Sequence, residues 1–358
     1  STYLIAQMVF GRYGSILISI FIGILAMGFV GVFAGATGTF VNGQFGFLPV
    51  WLGALVFTIL VVSTALYGFV GLEYLSKVAV PGLWIIALWG LVAVGGQVDG
   101  GLSSIWNISP AESQSFAFGV TLSISTWITG ASITADIGRY AKNKWHVLIG
   151  AFGGWVLGAA FLESISASAA LGVGNGDLVQ VMIDVGLFWP ALFIFLAAMW
   201  TSADNNLYSF SLAFTSLTDV LGQRDFLSKG AWVVIGGVFV WLGAAAGIYS
   251  QFTQFLLTIA VTVPPMAGIF ISRFYVLGDY RMSADEIFQE INAGGKGISA
   301  VAFVTWIISS GFAYGADQGY LDFLPGFLTS GLGPAVNALI LSIILYAVLY
   351  RISPERYR

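Results

Sequence analysis

Cysteine is absent from the 358 residues, histidine occurs once, at His146, and only 8% of positions carry charge. Without thiols there is no disulfide, no thiol nucleophile and no thiolate metal site. A lone histidine argues equally against a His-rich metal cluster or a Ser-His triad. So few charges cannot clothe a water-facing surface, because soluble domains run at roughly 25% charged. What fills the chain instead is apolar: 58% hydrophobic residues, 46 glycines and a mean hydropathy of +0.91.

The apolar residues come in blocks of about 20, the length of helix that crosses ~30 Å of hydrocarbon. The strands of a transmembrane barrel would alternate polar and apolar, and these blocks do not. The expected class is an all-α polytopic membrane protein forming one transmembrane domain. Breaks at polar clusters predict ten spans, at about 15–40, 47–67, 78–97, 115–136, 146–171, 188–216, 231–248, 252–275, 298–315 and 332–350.

Charge then orients the spans. The 13 cations are Arg12, Lys77, Arg139, Lys142, Lys144, Arg224, Lys229, Arg273, Arg281, Lys296, Arg351, Arg356 and Arg358. Under ten alternating crossings all fall before the first span or at or beyond the end of an even-numbered one, hence on one side. The positive-inside rule makes that side the cytoplasm, with both ends of the chain there and the spans in the cell membrane. The opposite side receives only Asp99, Glu112, Asp177, Asp184, Asp317 and Asp322. Two carboxylates, Glu163 and Asp204, are left inside apolar segments. No basic stripe suggests nucleic acid, and no protein partner is implied. The first apolar block is too long for a signal-peptide core. The chain, starting at Ser1 and opening on the turn-like Phe10–Ser15 segment, reads as trimmed.

Polar side chains survive in a span only where they face protein or a hydrated cavity. In the sixth span, MWTSADNNLYSFSLAF (Met199 to Phe214), helical spacing puts Ala198, Thr201, Ser202, Asn205 and Ser209 on one face, with Asp204 and Tyr208 at its edge. Ser and Thr commonly bond between helices, but an Asp-Asn-Asn run is expensive to bury unpartnered and points to a hydrated site. The fourth span, TLSISTWITGASITAD (Thr121 to Asp136), is rich in β-branched and hydroxyl residues. It is a poor helix former, which suggests a discontinuous helix lining a cavity. Trp127 there is either packing or a flat wall for a planar ligand. Pro264-Pro265 in the eighth span is expected to kink or interrupt its helix. Two readings of Glu163 stand open: a protonated carboxyl bonded to nearby serines, or a proton-coupling site. His146 reads as solvated in a turn. Gly174-Asn175-Gly176-Asp177 matches the G-x-G-D pattern of intramembrane aspartyl proteases but has no Tyr-Asp partner in a neighbouring span, so it reads as a turn.

At these residues the chain resembles the nucleobase:cation-symport-1 family, and within it the bacterial cytosine-permease branch. TADIGRYAKN (Thr134 to Asn143) is similar to the family's A-D-x-x-R-Y/F segment, and the sixth-span motif to W-T-T-N-D-N-x-L-Y. VTVPPMAGIFISRFY (Val261 to Tyr275) resembles I-P-P-x-x-G-x-x-I. SKVAVPG (Ser76 to Gly82) and FGRYGS match shorter elements in the right order. The resemblance implies a LeuT-type five-plus-five inverted-repeat transporter fold of twelve spans, whose first two are not in this chain. Residues 1–98 would then be the remainder of the first repeat, 115–275 the second repeat, and 298–350 two additional spans.

The resemblance also implies roles. Thr201, Ser202 and the Ala198 carbonyl fall on the family's sodium ligands, the only coupling ion or cofactor expected. Trp127 falls on the aromatic that stacks on substrate, flanked by Thr126 and Thr129 as polar contacts, with Phe29 as the facing ring. Asn205 would bond the base edge, with Asp204 beside it. Ala203 replaces the family's first Asn of that motif, Phe29 a tryptophan and Ala26 a glutamine. The implied activity is sodium-coupled import of cytosine or a related planar heterocycle, and not an enzymatic reaction. The rivals are proton coupling through Glu163 or Asp204, and an amino-acid symporter on the same fold. A channel would need rings of charge or filter loops, and an intramembrane hydrolase paired catalytic groups; the chain offers neither.

Overall fold

A computed structural model describes residues 2–105, 107–109, 115–175, 177–222, 226–292, 297–329 and 331–353. Among them every regular element is helical. The chain runs α1 (Thr2–Phe10), α2 (Gly14–Phe45), α3 (Val50–Leu66), α4 (Phe69–Gly95), α5 (Phe116–Gly138), α6 (Lys144–Val173), α7 (Leu178–Asp184), α8 (Phe188–Val220), α9 (Lys229–Ala245), α10 (Ile248–Val276), α11 (Ala284–Asn292), α12 (Ala300–Asp317) and α13 (Pro334–Ile352). Each of the ten predicted spans meets one helix. Six of the helices, α2, α4, α5, α6, α10 and α13, are long and apolar enough to cross a membrane by themselves. α3 and α9 are apolar but shorter, at 17 residues each.

Helix starts follow capping chemistry. Ser115, Asn143, Asp177, Ser228 and Ser299 each accept a backbone N–H of the first turn of α5, α6, α7, α9 and α12, relieving donors with no intrahelical partner. Asp177 bonds Val179 and Gln180 at 3.0 and 3.2 Å. The G-x-G-D segment is thus a helix cap, although Gly176 lies outside the described residues.

The 32-residue α2 is the central post. On one side it shares an apolar core with α1, α10 and α12, built on Phe10, Ile18, Ile22, Ile259 and Met266. On the other it packs with α3, α8 and α9 through Val30, Phe57, Val61, Leu207 and Val240. A smaller core joins α4, α6, α7 and α8 through Ala87, Ile165, Met182 and Ala191.

Three sequence expectations need correction. α5 is not discontinuous: it runs unbroken from Phe116 to Gly138. Four of its hydroxyls fold back onto the helix, Thr126 and Ser125 to the Leu122 carbonyl, Ser132 to Ile128 and Thr134 to Gly130, at 2.8–3.0 Å. Those four are thereby satisfied inside the span, and tertiary packing overrides weak propensity. Pro264 and Pro265 do not interrupt α10, which continues to Ile271 and then widens into a π turn at Ser272–Val276. The third span starts earlier than expected, at Phe69, and Glu73 and Lys77 form an i,i+4 pair at 2.6 Å on the helix rather than lying in a loop. Residues ahead of the first span form α1, an apolar helix too short to cross.

Helix contacts are tight where glycine permits. A Cβ at Gly268 of α10 would overlap Ser342 Oγ and lie 2.6 Å from the Leu339 carbonyl of α13, whereas one at Gly119 of α5 meets nothing within 4 Å. Gly268→Ala is therefore expected to destabilise the detergent-solubilised protein by ~1–3 kcal/mol. Gly119→Ala should leave stability unchanged or raise it slightly. Thermal unfolding by scanning fluorimetry separates the two; equal midpoints would contradict this packing.

Candidate binding cavity

A cavity of about 660 Å³ lies between α2, α5, α6, α8 and α10, inside the range of small-molecule sites. Rings dominate its wall: Phe29 and Phe33 from α2, Trp127 from α5, Trp155 from α6 and Phe252 from α10. Polar groups are few: Thr126 and Thr134 from α5 and Ser202, Asn205 and Asn206 from α8. At one end the wall is made by Phe69, Tyr140, Ala141 and His146, beside the turn between α5 and α6.

Helical phase decides which expected residues reach this space. Phe29, Thr126, Trp127, Ser202 and Asn205 are brought together there. Thr129 is not. With Thr121, Ser125, Ile133 and Asp136 it forms the buried stripe of α5, and it stands two residues, about 200° of helix, from Trp127. Asp204 is also turned away, fully buried, towards Thr64 of α3. Its neighbours Ala203 and Leu207 belong to the apolar core with α3 and α9. Glu163, on α6, does not line the cavity; its Oε1 accepts the indole N–H of Trp127 at 2.6 Å.

Of the three expected sodium ligands on α8, Ser202 lines the cavity, whereas Thr201 and Ala198 are not part of its wall. Thr201 Oγ1 stands 2.8 Å from the Ala197 carbonyl and 3.2 Å from the Ala198 carbonyl, and Ser202 is exposed to the cavity. Both asparagines spend a donor on the same helix: Asn205 Nδ2 on Thr201 O at 3.0 Å and Asn206 Nδ2 on Ser202 O at 2.8 Å. Their Oδ1 atoms remain as acceptors, and that of Asn206 is buried without a partner. Left so, it carries an unmet hydrogen-bonding demand beside the cavity. Asn206 was not among the expected contacts, and the adjacent Asn pair was its only sequence signal. Phe33, Phe252 and Trp155 were indistinguishable in sequence from packing. His146, expected merely to be solvated, is exposed and also lines the cavity.

The end wall is a polar lock between helices. Arg139, just after α5, donates from Nη2 to the hydroxyls of Tyr140 and of Tyr208 on α8, each at 2.9 Å, and the two hydroxyls lie 2.6 Å apart. Tyr140 stacks on Phe69 at 4.1 Å and 13°. The Lys229 ammonium, at the start of α9, sits 3.6 Å from the centroid of the Tyr208 ring, a cation–π contact. Arg139, just after α5, and Lys229, at the start of α9, thus lie at the same end of the bundle.

Apolar helices around a ring-lined cavity, with polar groups presented from α5 and α8, suit a membrane transporter for small molecules. The chain belongs to the family of permeases for cytosine/purines, uracil, thiamine and allantoin, whose model matches residues 1–330. It is accordingly a multi-pass membrane transporter and not an enzyme. It is 29% identical over 348 residues to the cytosine permease of Escherichia coli K12, covering 96% of this chain and 77% of that one, and equally to that of strain CFT073. In fold it is similar to Mhp1, a nucleobase-cation-symport-1 family transporter, in a closed conformation with bromovinylhydantoin bound. The TM-score is 0.76 at 20% identity, over 98% of this chain and 78% of that one. For the inward-facing conformation of Mhp1 the TM-score is 0.65 at 19% identity, over 98% and 77%. The LeuT-type fold expected from the sequence is therefore the fold observed.

The lock predicts a measurable consequence. Tyr208→Phe removes a hydroxyl shared by Arg139 and Tyr140, a loss of ~1 kcal/mol or more, or about fivefold in the balance between closed and open ends. With no native cysteine, maleimide labelling of Ala141→Cys reports that end alone. Its rate should rise roughly fivefold in the Tyr208→Phe background; an unchanged rate would mean the lock does not restrain this end.

Proposed function

We propose that the protein is a secondary active symporter that imports a nucleobase, cytosine or a related planar heterocycle, coupled to sodium by alternating access. It would do so in the cell membrane, with both ends of the chain cytoplasmic, residues 1–98 serving as the first-repeat remainder and 115–275 as the second repeat. The observation that carries the reading is the pairing in one cavity of flat rings, Trp127 and Phe29, with the amide side chains of Asn205 and Asn206. The names of the relatives, a cytosine permease and a transporter holding a hydantoin, point the same way.

Division of labour follows from magnitudes. Stacking a base on an aromatic side chain contributes ~1–3 kcal/mol and accepts any ring. Choice among rings then falls to hydrogen bonding, because an amide left unpaired by the wrong base costs more than a misplaced methyl. Sodium at Thr201, Ser202 and the Ala198 carbonyl lies on the same helix as Asn205. Ion and base would favour the same state of the bundle, so each tightens the other's binding.

The test is uptake of labelled cytosine, uracil, hypoxanthine and hydantoin by the full-length protein in proteoliposomes. Saturable uptake of one of these rings under an inward sodium gradient is expected. Trp127→Ala and Asn205→Ala should each raise KM at least tenfold, and Thr201→Ala should raise the sodium concentration needed for half-maximal uptake. Equal uptake under a proton gradient without sodium would overturn the coupling, and transport of none of the rings would overturn the substrate class.

A further inference from the structure

The bonds around Trp127 reach beyond the cavity. An indole turns about a broad sp³–sp² torsion, so its plane is not fixed by rotamer preference alone; something else must hold a ring that is to serve as a flat wall. Two restraints do so here, and both come from α6. Trp155 meets Trp127 edge to face, at 5.4 Å and 80°. It can come that close to α5 because residue 130 is glycine, where a Cβ would overlap the Trp155 ring. Trp155 also lies in the π-helical turn Phe152–Gly158, a widened turn of the kind that re-aims side chains at functional sites. The second restraint is the 2.6 Å bond from Trp127 Nε1 to Glu163 Oε1. A bond to a carboxylate is stronger and more directional than one to a neutral acceptor. Among the described residues no cation forms an ion pair with Glu163.

Glu163 is itself held from behind. Phe161, two residues earlier, stacks on Trp84 of α4 at 4.4 Å and 15°, and Ile165, two residues later, is buried with Ala87 of α4. Residues 161 and 165 share one face of α6, and Glu163 is on the opposite one. α4 therefore fixes the stretch of α6 that carries the carboxylate, and the carboxylate grips the indole.

We propose that Glu163 is a positioning residue for the substrate cavity: its carboxylate holds the Trp127 indole in the plane against which the substrate ring stacks. The proposal rests on the reading of Trp127 as the stacking wall. It gives the intramembrane carboxylate a role as a hydrogen-bond acceptor, one that does not need a proton to move.

A conservative and a disruptive variant distinguish the two roles. Glu163→Gln keeps an acceptor oxygen and loses the charge; Glu163→Leu loses both. Cytosine uptake in proteoliposomes should show KM within about twofold of the native value for Gln and raised roughly tenfold for Leu, with kcat nearly unchanged in both. Against Trp127→Phe, which retains a ring but has no N–H to donate, Glu163→Leu should change KM less than about twofold, because coupled residues are not additive. Ultraviolet resonance Raman difference spectra against Trp127→Phe give a readout independent of transport. The signal of a strongly hydrogen-bonded indole N–H should be present in the native protein and the Gln variant and lost in the Leu variant. A Gln variant as impaired as Leu, an unchanged KM for Leu, the same Leu effect with Phe at 127, or a Raman signal that survives Leu would each overturn the proposal. If the native protein moves no nucleobase, the nucleobase reading fails, while the spectra still decide whether Glu163 holds the indole.

Discussion

A polar group inside hydrocarbon must find its partner within the protein, and much of this structure answers to that constraint. Four hydroxyls of α5 return to their own helix about one turn back, and both asparagines of α8 do the same with one donor each. These bonds leave a few buried atoms over, among them the Oδ1 of Asn206, the Thr129 hydroxyl and the Asp204 carboxyl. Satisfying most of the polar inventory locally makes the remainder selective. A cavity lined mainly by rings, with two or three unspent acceptors, recognises a flat molecule with N–H groups better than a flexible or charged one.

The same constraint shapes the ends of the cavity. Where α5 leaves the membrane, one arginine, two tyrosines and a lysine from three different segments converge, and the stacked Phe69–Tyr140 pair forms part of the cavity wall. Such a cluster suits a structure that must come apart and re-form. Its bonds are individually modest, it lies next to water that can replace them, and it joins an otherwise sparsely packed α5 to the better-packed α8.

The positions of the apolar helices were legible in the sequence because they depend on sums over blocks of residues. The polar stripe of α8 was legible for the same reason, as several residues shared one phase. Failures came where one residue's phase mattered. Asp204 and Thr129 are each one or two positions from a cavity residue, and 100–200° of helix turns them into packed interfaces. The expected break in α5 failed because propensity counts hydroxyls against a helix without seeing that they bond back to it. The partner of Glu163 could not be found either, since a contact across 36 residues between two helices leaves no local pattern.

One feature of α8 bears on how it is held in place. The helix that carries Thr201, Asp204, Asn205 and Asn206 is not among the six able to cross a membrane on length and hydropathy. α3 and α9, which pack against it, are short. The three are joined to one another: Thr64 and Trp200 bond across α3 and α8, and Val233 and Val240 close over Leu207. A helix with that many polar side chains is thus held in hydrocarbon by its neighbours more than by its own hydropathy.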